Sequence, residues 1–296
     1  MNGTSSPDKE KREAIHYATK RGLSQRRACS LVAMHRSTAR YEPCRPDDTL
    51  LVERIKDIQT TLPRFGVRRV HYRLGRTGEK VNHKRVQRVM RENDLTVKRT
   101  RRKKTIRTGA SVPALALYPN HVWTIDFQED ALLGGRKVRI LNILDEFTRE
   151  WLAVVVGLSA SAKTVMGALL PLFRGRGAPL FLRSDNGGEF VAADLKILLE
   201  ASGTASRFID PGHPWQNGFI ESFHSRLRDE FLNRESFVSL SETRVRIEQH
   251  RLWYNRERPH SSLSYLSPDE FHQAWKNGAL KEPLVSPVKT TQNNKT

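Results

Sequence analysis

Between residues 122 and 209 the chain lays down three strand-like runs in quick succession and then changes rhythm. In Val122–Gln128 the side chains Trp123, Ile125 and Phe127 alternate with Val122, Thr124 and Asp126, the period of a pleated strand. Val138–Phe147 and Trp151–Gly157 follow, joined by tight turns at Gly134-Gly135 and Thr148-Arg149, which predicts an antiparallel meander. From there strands alternate with helices. A helix from Ser161 through Phe173 is ended by Gly175 and Gly177; then come a strand Pro179–Ser184, a helix from Ala192 to Glu200 stopped by Gly203, and a short strand Thr204–Ile209. A right-handed crossover sets the fourth strand beside the first. The order predicts an α/β domain: a mixed five-stranded sheet flanked by helices, with a strand-order switch where open sheets usually hold their ligands.

Asp126, on the first strand, points opposite the Trp123 face. The apolar run Leu180, Phe181, Leu182 delivers Asp185 into a turn of Asn186, Gly187 and Gly188, so its carboxylate leaves a strand end unburied. After thirty-five intervening residues comes Glu221, beside a helical stripe of Ile220, Phe223, Leu227 and Phe231. Each acid alone reads as an ordinary solvated side chain. Together, a strand Asp, a second Asp after a later strand and a Glu on a following helix resemble the DDE signature of transposases and retroviral integrases. The strings WTIDF, LRSDNGGEF, PGHPWQNGFIESFHSRLRDEF and YNRERPHSSLSYLSPDEF resemble the second-frame protein of the IS-three family of bacterial insertion sequences, over nearly the whole chain.

The resemblance implies a ribonuclease-H-like fold and a DDE transposase that cleaves DNA at the ends of an insertion sequence and joins those ends elsewhere. Three carboxylates converging on a small volume repel one another, and without a cation at least one takes up a proton. A hard divalent ion with oxygen ligands resolves this, which points to Mg²⁺, with Mn²⁺ as a substitute. With two ions about 4 Å apart, one serves the attacking oxygen and the other the leaving oxygen of an in-line displacement at phosphorus. Asp126 and Asp185 are the expected ligands, Asp126 as the bridge, and Glu221 completes one shell. Water first frees a 3′-hydroxyl, which then attacks a second phosphodiester. Asn186, His213, Trp215, Gln216 and Asn217 flank the triad in polar turns suited to the scissile DNA. His224, Ser225 and Arg228 line up with Glu221 at three, four and seven residues beyond it.

Charge is distributed unevenly. Residues 1–110 hold 29 Lys or Arg against 11 Asp or Glu, while residues 111–296 hold 22 against 21. Clustered cations gain from counterion release on a polyanion, so the basic half is a DNA-gripping arm on a nearly neutral body. Its apolar periodicity sets it apart from a merely solubilising tail and predicts two helix-turn-helix-like units. The first (1–46) has a helix around Ala14 to Lys20, a cap at Ser24, a short helix through Ala28, Leu31 and Val32, and a helix opening near Ser37 that carries Arg36 and Arg40. The second (47–97) runs through Leu51, Ile55 and Ile58, then Arg68 and Arg69, turns at Arg76-Thr77-Gly78 and caps at Asn82. Its last helix, Lys84 to Asn93, sets Val86, Val89 and Met90 inward and Arg85, Arg88 and Arg91 outward, as a groove-reading helix would. The run at 98–112, with Arg101, Arg102, Lys103 and Lys104, reads as a basic linker on phosphates. The catalytic core is expected over 113–237 and a helical extension over 238–282, with caps at Ser241 and Ser267 and Pro268 in the first turn; 283–296 reads as a disordered tail.

Other classes are excluded by composition. No apolar run reaches the ~18 residues of a membrane span and no signal-peptide pattern is present, so a cytoplasmic, nucleoid-associated protein without membrane contact is expected. Cys29 and Cys44 are the only cysteines, and His71 and His83 have no Cys-x-x-Cys partner, so neither a disulfide framework nor an integrase-type zinc site is available. The expected partners are double-stranded DNA, as terminal inverted repeats and as target, and further copies of the chain assembled on it. In the family the active enzyme is usually a fusion with a first-frame protein that supplies another helix-turn-helix and a leucine zipper; no sustained heptad is visible here. The competing class is a non-catalytic DNA-binding regulator of transposition, which would bind element ends without cutting them.

Overall fold

The computed structural model describes residues 7–41, 47–97, 116–209 and 217–280. They fall into two compact units, residues 1–50 and 51–296. The expectations for the basic linker, including Arg101, Arg102, Lys103 and Lys104, for His213, Trp215 and Gln216, and for the tail lie outside the described residues.

The first unit has three helices, α1 (Pro7–Lys20), α2 (Gln25–Leu31) and α3 (Arg36–Arg40). The Ser24 hydroxyl accepts the Arg27 N–H to start α2, and the left-handed Ala33 (φ +50°) turns the chain so that the His35 ring accepts the Ser37 N–H at the head of α3. Ile15, Ala28, Cys29 and Met34 form its small core.

The second unit opens with α4 (Thr49–Thr61), α5 (Val67–Arg76) and α6 (His83–Glu92), closed around Leu51, Ile55, Phe65, Val70, Leu74, Val86, Val89 and Met90. The Asn82 side chain accepts the Lys84 N–H at 2.9 Å and fixes the start of α6. The sheet follows: β1 (Val122–Ala131), β2 (Lys137–Asp145), β3 (Trp151–Gly157), β4 (Phe181–Ser184) and β5 (Ala205–Phe208), in the spatial order β3-β2-β1-β4-β5. The first three strands pair antiparallel; β4 runs parallel to β1, and β5 parallel to β4. This is the mixed sheet of a ribonuclease-H-like domain, with its order switch between β1 and β4.

Helices cover both faces. Trp123, Ile125, Leu141, Ile143 and Leu182 pack under α7 (Ala162–Arg176) and α8 (Ala193–Ala201). On the opposite face Val138, Ile140, Trp151 and Val156 meet α9 (Gly218–Glu230) and α10 (Leu240–Glu257). Ile220, Phe223 and Leu227, one stripe of α9, are buried there. At roughly 1.5–3 kcal/mol for each fully buried side chain, that stripe alone anchors the helix on the sheet. Side chains of α10 cap the backbone of edge strand β3 near both of its ends. Asn255 of α10 accepts the Trp151 N–H at 2.8 Å and donates to its carbonyl at 3.0 Å, and Arg251 and Arg244 donate to the carbonyls of Trp151 and Val156.

α10 begins earlier than the sequence suggested. The cap is Ser239, not Ser241: its hydroxyl accepts the Glu242 N–H at 3.1 Å, while the Glu242 carboxylate accepts the Val238 N–H. The deciding signal is an acidic residue three positions on, which Ser239 has and Ser241 lacks. At α11 (Pro268–Lys276) the exchange is fully reciprocal: Ser267 accepts the Glu270 N–H and Glu270 accepts the Ser267 N–H. No helix among the described residues is long and apolar enough to cross a membrane.

Candidate active site

The site begins with register. β1 and β4 align Val122 with Phe181, Trp123 with Leu182 and Thr124 with Arg183. Asp126 lies two residues beyond Thr124, and Asp185 two beyond Arg183, at the carboxyl ends of neighbouring parallel strands. Alternation decides which face they use. Trp123 and Ile125 lie in the core under α7 and α8, with Phe127 packed against it, so Thr124, Asp126, Gln128 and Asp130 face α9. Each of the four meets that helix or its cap: Thr124 Oγ1 donates to Asn217 Oδ1 (3.0 Å), Asp126 Oδ2 lies 3.7 Å from His224 Nδ1, Gln128 Nε2 donates to the His224 carbonyl (3.2 Å), and Asp130 Oδ1 lies 3.9 Å from Arg228 Nη1. The first turn of α9 carries Glu221.

Electrostatics picks out Asp126. Burial first, then the neighbouring Asp185, pushes its carboxyl up to about 7; the Phe127 N–H opposes the shift, and Glu221 and Glu189 add to it. Two of the expected acids thus act on the third, and the three have a fourth companion. Glu189 follows in the same loop, and a methyl group placed on Gly187 would lie 3.1 Å from both Asp185 Oδ1 and Glu189 Oε2, so only a glycine leaves the two carboxylates their present positions. Sequence reading passed over Glu189, although it stands four residues after Asp185 in SDNGGEF. His224 brings no compensating charge: burial, then Arg228, pulls it down to about 4, so at neutral pH it faces Asp126 as an uncharged ring.

The donors gathered here are carboxylate oxygens, the hard ligands that Mg²⁺ or Mn²⁺ takes, and the upward displacement of Asp126 marks a pocket short of positive charge. In charge and donor type the residues fit a divalent cation. Among the described residues, however, no three His, Cys, Asp or Glu side chains already stand as a ligand set.

The residues expected on DNA divide into two groups. Arg68, Lys84 and Arg91 are exposed, and Arg85 and Arg88 half-buried, with Arg88 paired to Glu92 at 2.8 Å. Others turn inward. Asn217 is buried against Thr124, His224 is only 15% exposed, Asn186 donates to the Ile209 carbonyl at 2.8 Å, and Arg228 donates to the Glu129 carbonyl. The correction at Arg69 is the clearest: its guanidinium meets Glu230 at 2.7 Å, across the boundary between α5 and α9. The fully buried Arg258 holds the same carboxylate at 2.6 and 2.7 Å. Burial works against the Glu230 charge, yet Arg258 and then Arg69 hold the group down at about 2. Further pairs continue the seam: Arg64 with Asp229 (2.5 Å), Arg73 with Glu257 (2.6 Å) and Arg76 with Glu270 (2.9 Å), and Tyr72 stacks on Tyr265. An arginine row that resembles a phosphate grip by composition is, on this face of α5, a dock for the core.

Comparison with known proteins covers the same span. Residues 117–214 and 202–268 match families described as integrase core domain, and residues 46–104 match an HTH-like domain. The chain is 41% identical over 251 residues to an insertion element IS407 uncharacterized 31.7 kDa protein of Burkholderia multivorans, covering 84% of this chain and 90% of that one. It is 37% identical over 274 residues to an insertion element IS476 uncharacterized 39.2 kDa protein of Xanthomonas euvesicatoria, covering 92% and 79%. A transposase for insertion sequence element IS904 of Lactococcus lactis is 30% identical over 258 residues, covering 81% and 99%.

Proposed function

Because the chain belongs to the IS-three-like DDE transposases of bacterial insertion sequences, we propose that it cleaves DNA at the ends of its own element and joins the freed 3′ ends to target DNA, with Asp126, Asp185 and Glu221 as the acting carboxylates. The observation that carries this reading is the Asp126 carboxyl, raised to about 7 by burial and by Asp185, Glu221 and Glu189, with no cationic side chain among the described residues placed to relieve it. A purely structural acid would have acquired a partner, as Glu230 has.

Asp126, Asp185 and Glu221 are the residues that would hold a divalent metal. When bound, Mg²⁺ supplies charge stabilisation at the attacking and leaving oxygens of a displacement at phosphorus. The chain's own contribution is placement. The β1 and β4 ends set two carboxylates side by side, α9 carries the third on a rigid element, and the buried Thr124–Asn217 bond fixes where that helix starts. Exposed Arg68, Lys84 and Arg91 supply the sequence-independent grip on the duplex. The DNA ends and the target are the substrates, copies of the chain assemble on them, and the first-frame product of the same element joins that assembly in the bacterial cytoplasm, at the nucleoid.

The deciding experiment incubates the purified chain, alone and with the first-frame product, with an oligonucleotide of the element end and Mg²⁺, beside Asp185→Asn. Cleavage and strand transfer by the unaltered chain, lost in the variant while binding persists, are the expected result. Equal binding with no cutting or joining by either protein, in both arms, would leave a DNA-binding regulator as the function.

A further inference from the structure

On the sheet face beneath α9, one contact has no part in the packing of that helix. Asn142 of β2 stands directly opposite Asp126 of β1 in the antiparallel register, so the two side chains share a face. Asn142 is fully buried in the middle of the apolar run Ile140, Leu141, Ile143 and Leu144. Its Nδ2 lies 3.0 Å from His224 Nε2 and also donates to the Ile140 carbonyl at 3.4 Å, which fixes which way the amide points. Its oxygen has no partner among the described residues, a cost to stability that a leucine at this position would avoid. An amide N–H donated to Nε2 leaves that nitrogen as the acceptor, so the ring proton sits on Nδ1. Nδ1 is the atom turned toward Asp126 Oδ2, at 3.7 Å. Asp126 Oδ1 is already taken by the Phe127 N–H at 2.7 Å, so Oδ2 is the oxygen left to act. The backbone of His224 is tied as well, its carbonyl accepting from Gln128.

We propose that His224 is a positioning residue: Asn142 holds its ring so that the Nδ1–H aims the free oxygen of Asp126 into the site. The assignment rests on the proposed strand-transfer role of Asp126. It makes His224 a supporting group rather than a DNA contact, and adds Asn142 as its anchor. Groups that orient an acting carboxylate or a metal ligand commonly change affinity or turnover by about 10–100-fold when removed.

Three measurements test it on the full chain. Nitrogen-15 NMR of the unaltered protein reads the tautomer directly; a proton on Nδ1 is expected, and a proton on Nε2 would overturn the proposal whatever the protein does to DNA. Calorimetric titration with Mg²⁺ alone should show about tenfold weaker binding in His224→Ala, and unchanged binding would count against the role. In strand transfer, His224→Ala should lower kcat about 10–100-fold and leave KM for the element end and its salt dependence unchanged. A raised KM with a shallower salt slope would instead make His224 a DNA contact. His224→Asn keeps an N–H near the Nδ1 position and should recover most of the loss, which separates aiming from folding; no recovery would sink the idea. Should the unaltered chain fail to cut any DNA, the proposed function falls, while the NMR and calorimetric results still decide the place of His224.

Discussion

Glu221, in the first turn of α9, and Glu230, at its last residue, are the same side chain in opposite company. Around Glu230 two arginines converge on one buried carboxylate, and the group stays charged down to about pH 2. At the other end Glu221 adds to the field of Asp185 and Glu189 on Asp126, which burial first and then these acids lift to about 7. Among the described residues, one end of the helix is compensated from within the chain and the other is not. Where charge is satisfied internally, a carboxylate holds elements together; where it is left unsatisfied, the missing charge has to come from outside. The difference assigns α9 two tasks, docking the α4–α6 unit at one end and facing the substrate at the other.

The sharpest way to break this comparison is to neutralise each end and ask what is lost. Asp126→Asn should abolish strand transfer, by about a thousandfold or more, while the melting temperature stays level or rises, because a repelled carboxylate has been removed. Glu230→Gln should do the reverse. It leaves Arg258 buried without its counter-ion and should cost about 3–5 kcal/mol, seen in denaturant or thermal melts, with residual activity reduced only in proportion to the folded fraction. A destabilised Asp126→Asn paired with an unaffected Glu230→Gln would invert the assignment.

Acidity gives a graded version of the same test. Asp126 is raised in the folded chain above its unfolded value of 3.8, so between about pH 4 and 7 the folded state binds the extra proton, and stability falls as pH rises through that window. Glu146, which burial also raises to about 7, adds a contribution of the same sign. The metal-free chain should therefore lose several kcal/mol of stability across that interval. Asp126→Asn should flatten part of the slope, and Mg²⁺ should flatten it in the unaltered chain but not in the variant. Glu230, held down at about 2, contributes stability that is present above its unfolded value of 4.5 and is lost only as pH falls toward 2. The two ends should thus fail at opposite sides of the pH scale in melts recorded from pH 2 to 8.

The strands, their order and the face on which Asp126 stands were legible because alternation, Gly-bearing turns and the handedness of crossovers are local or nearly local rules. The caps at Ser24, Asn82 and Ser267 were legible for the same reason, and Ser239 was missed only because Ser241 lay nearer the apolar pattern. Of the site, the three acids could be picked out by spacing and resemblance, but their company could not. Glu189 hid in a turn that looked like geometry alone, and Asn142 in VRILNILD was an odd polar residue with no visible partner until α9 was laid over it. Arg69 of α5 could not be told from its exposed neighbour Arg68, because charge composition says that a cation seeks an anion, not whether the anion is a phosphate or Glu230 from 161 residues further along.

The smallest effect separates those two possibilities along the seam itself. Arg73 and Glu257 meet at 2.6 Å with side chains 34% and 42% exposed, whereas Arg69 reaches Glu230 at a carboxylate that is 9% exposed. An exposed pair is screened and entropically taxed, so the Arg73–Glu257 coupling in a double-mutant cycle should be about 0.2–1 kcal/mol and vanish in high salt. The Arg69–Glu230 coupling should be larger and survive salt, since water and ions reach it poorly. If α5 were instead held only by its surface pairs, both couplings would fade together as salt rises, and the α4–α6 unit would come away from the core under conditions in which DNA binding is usually measured. The salt dependence of two arginines one helical turn apart therefore reports whether this helix is docked or merely resting on the core.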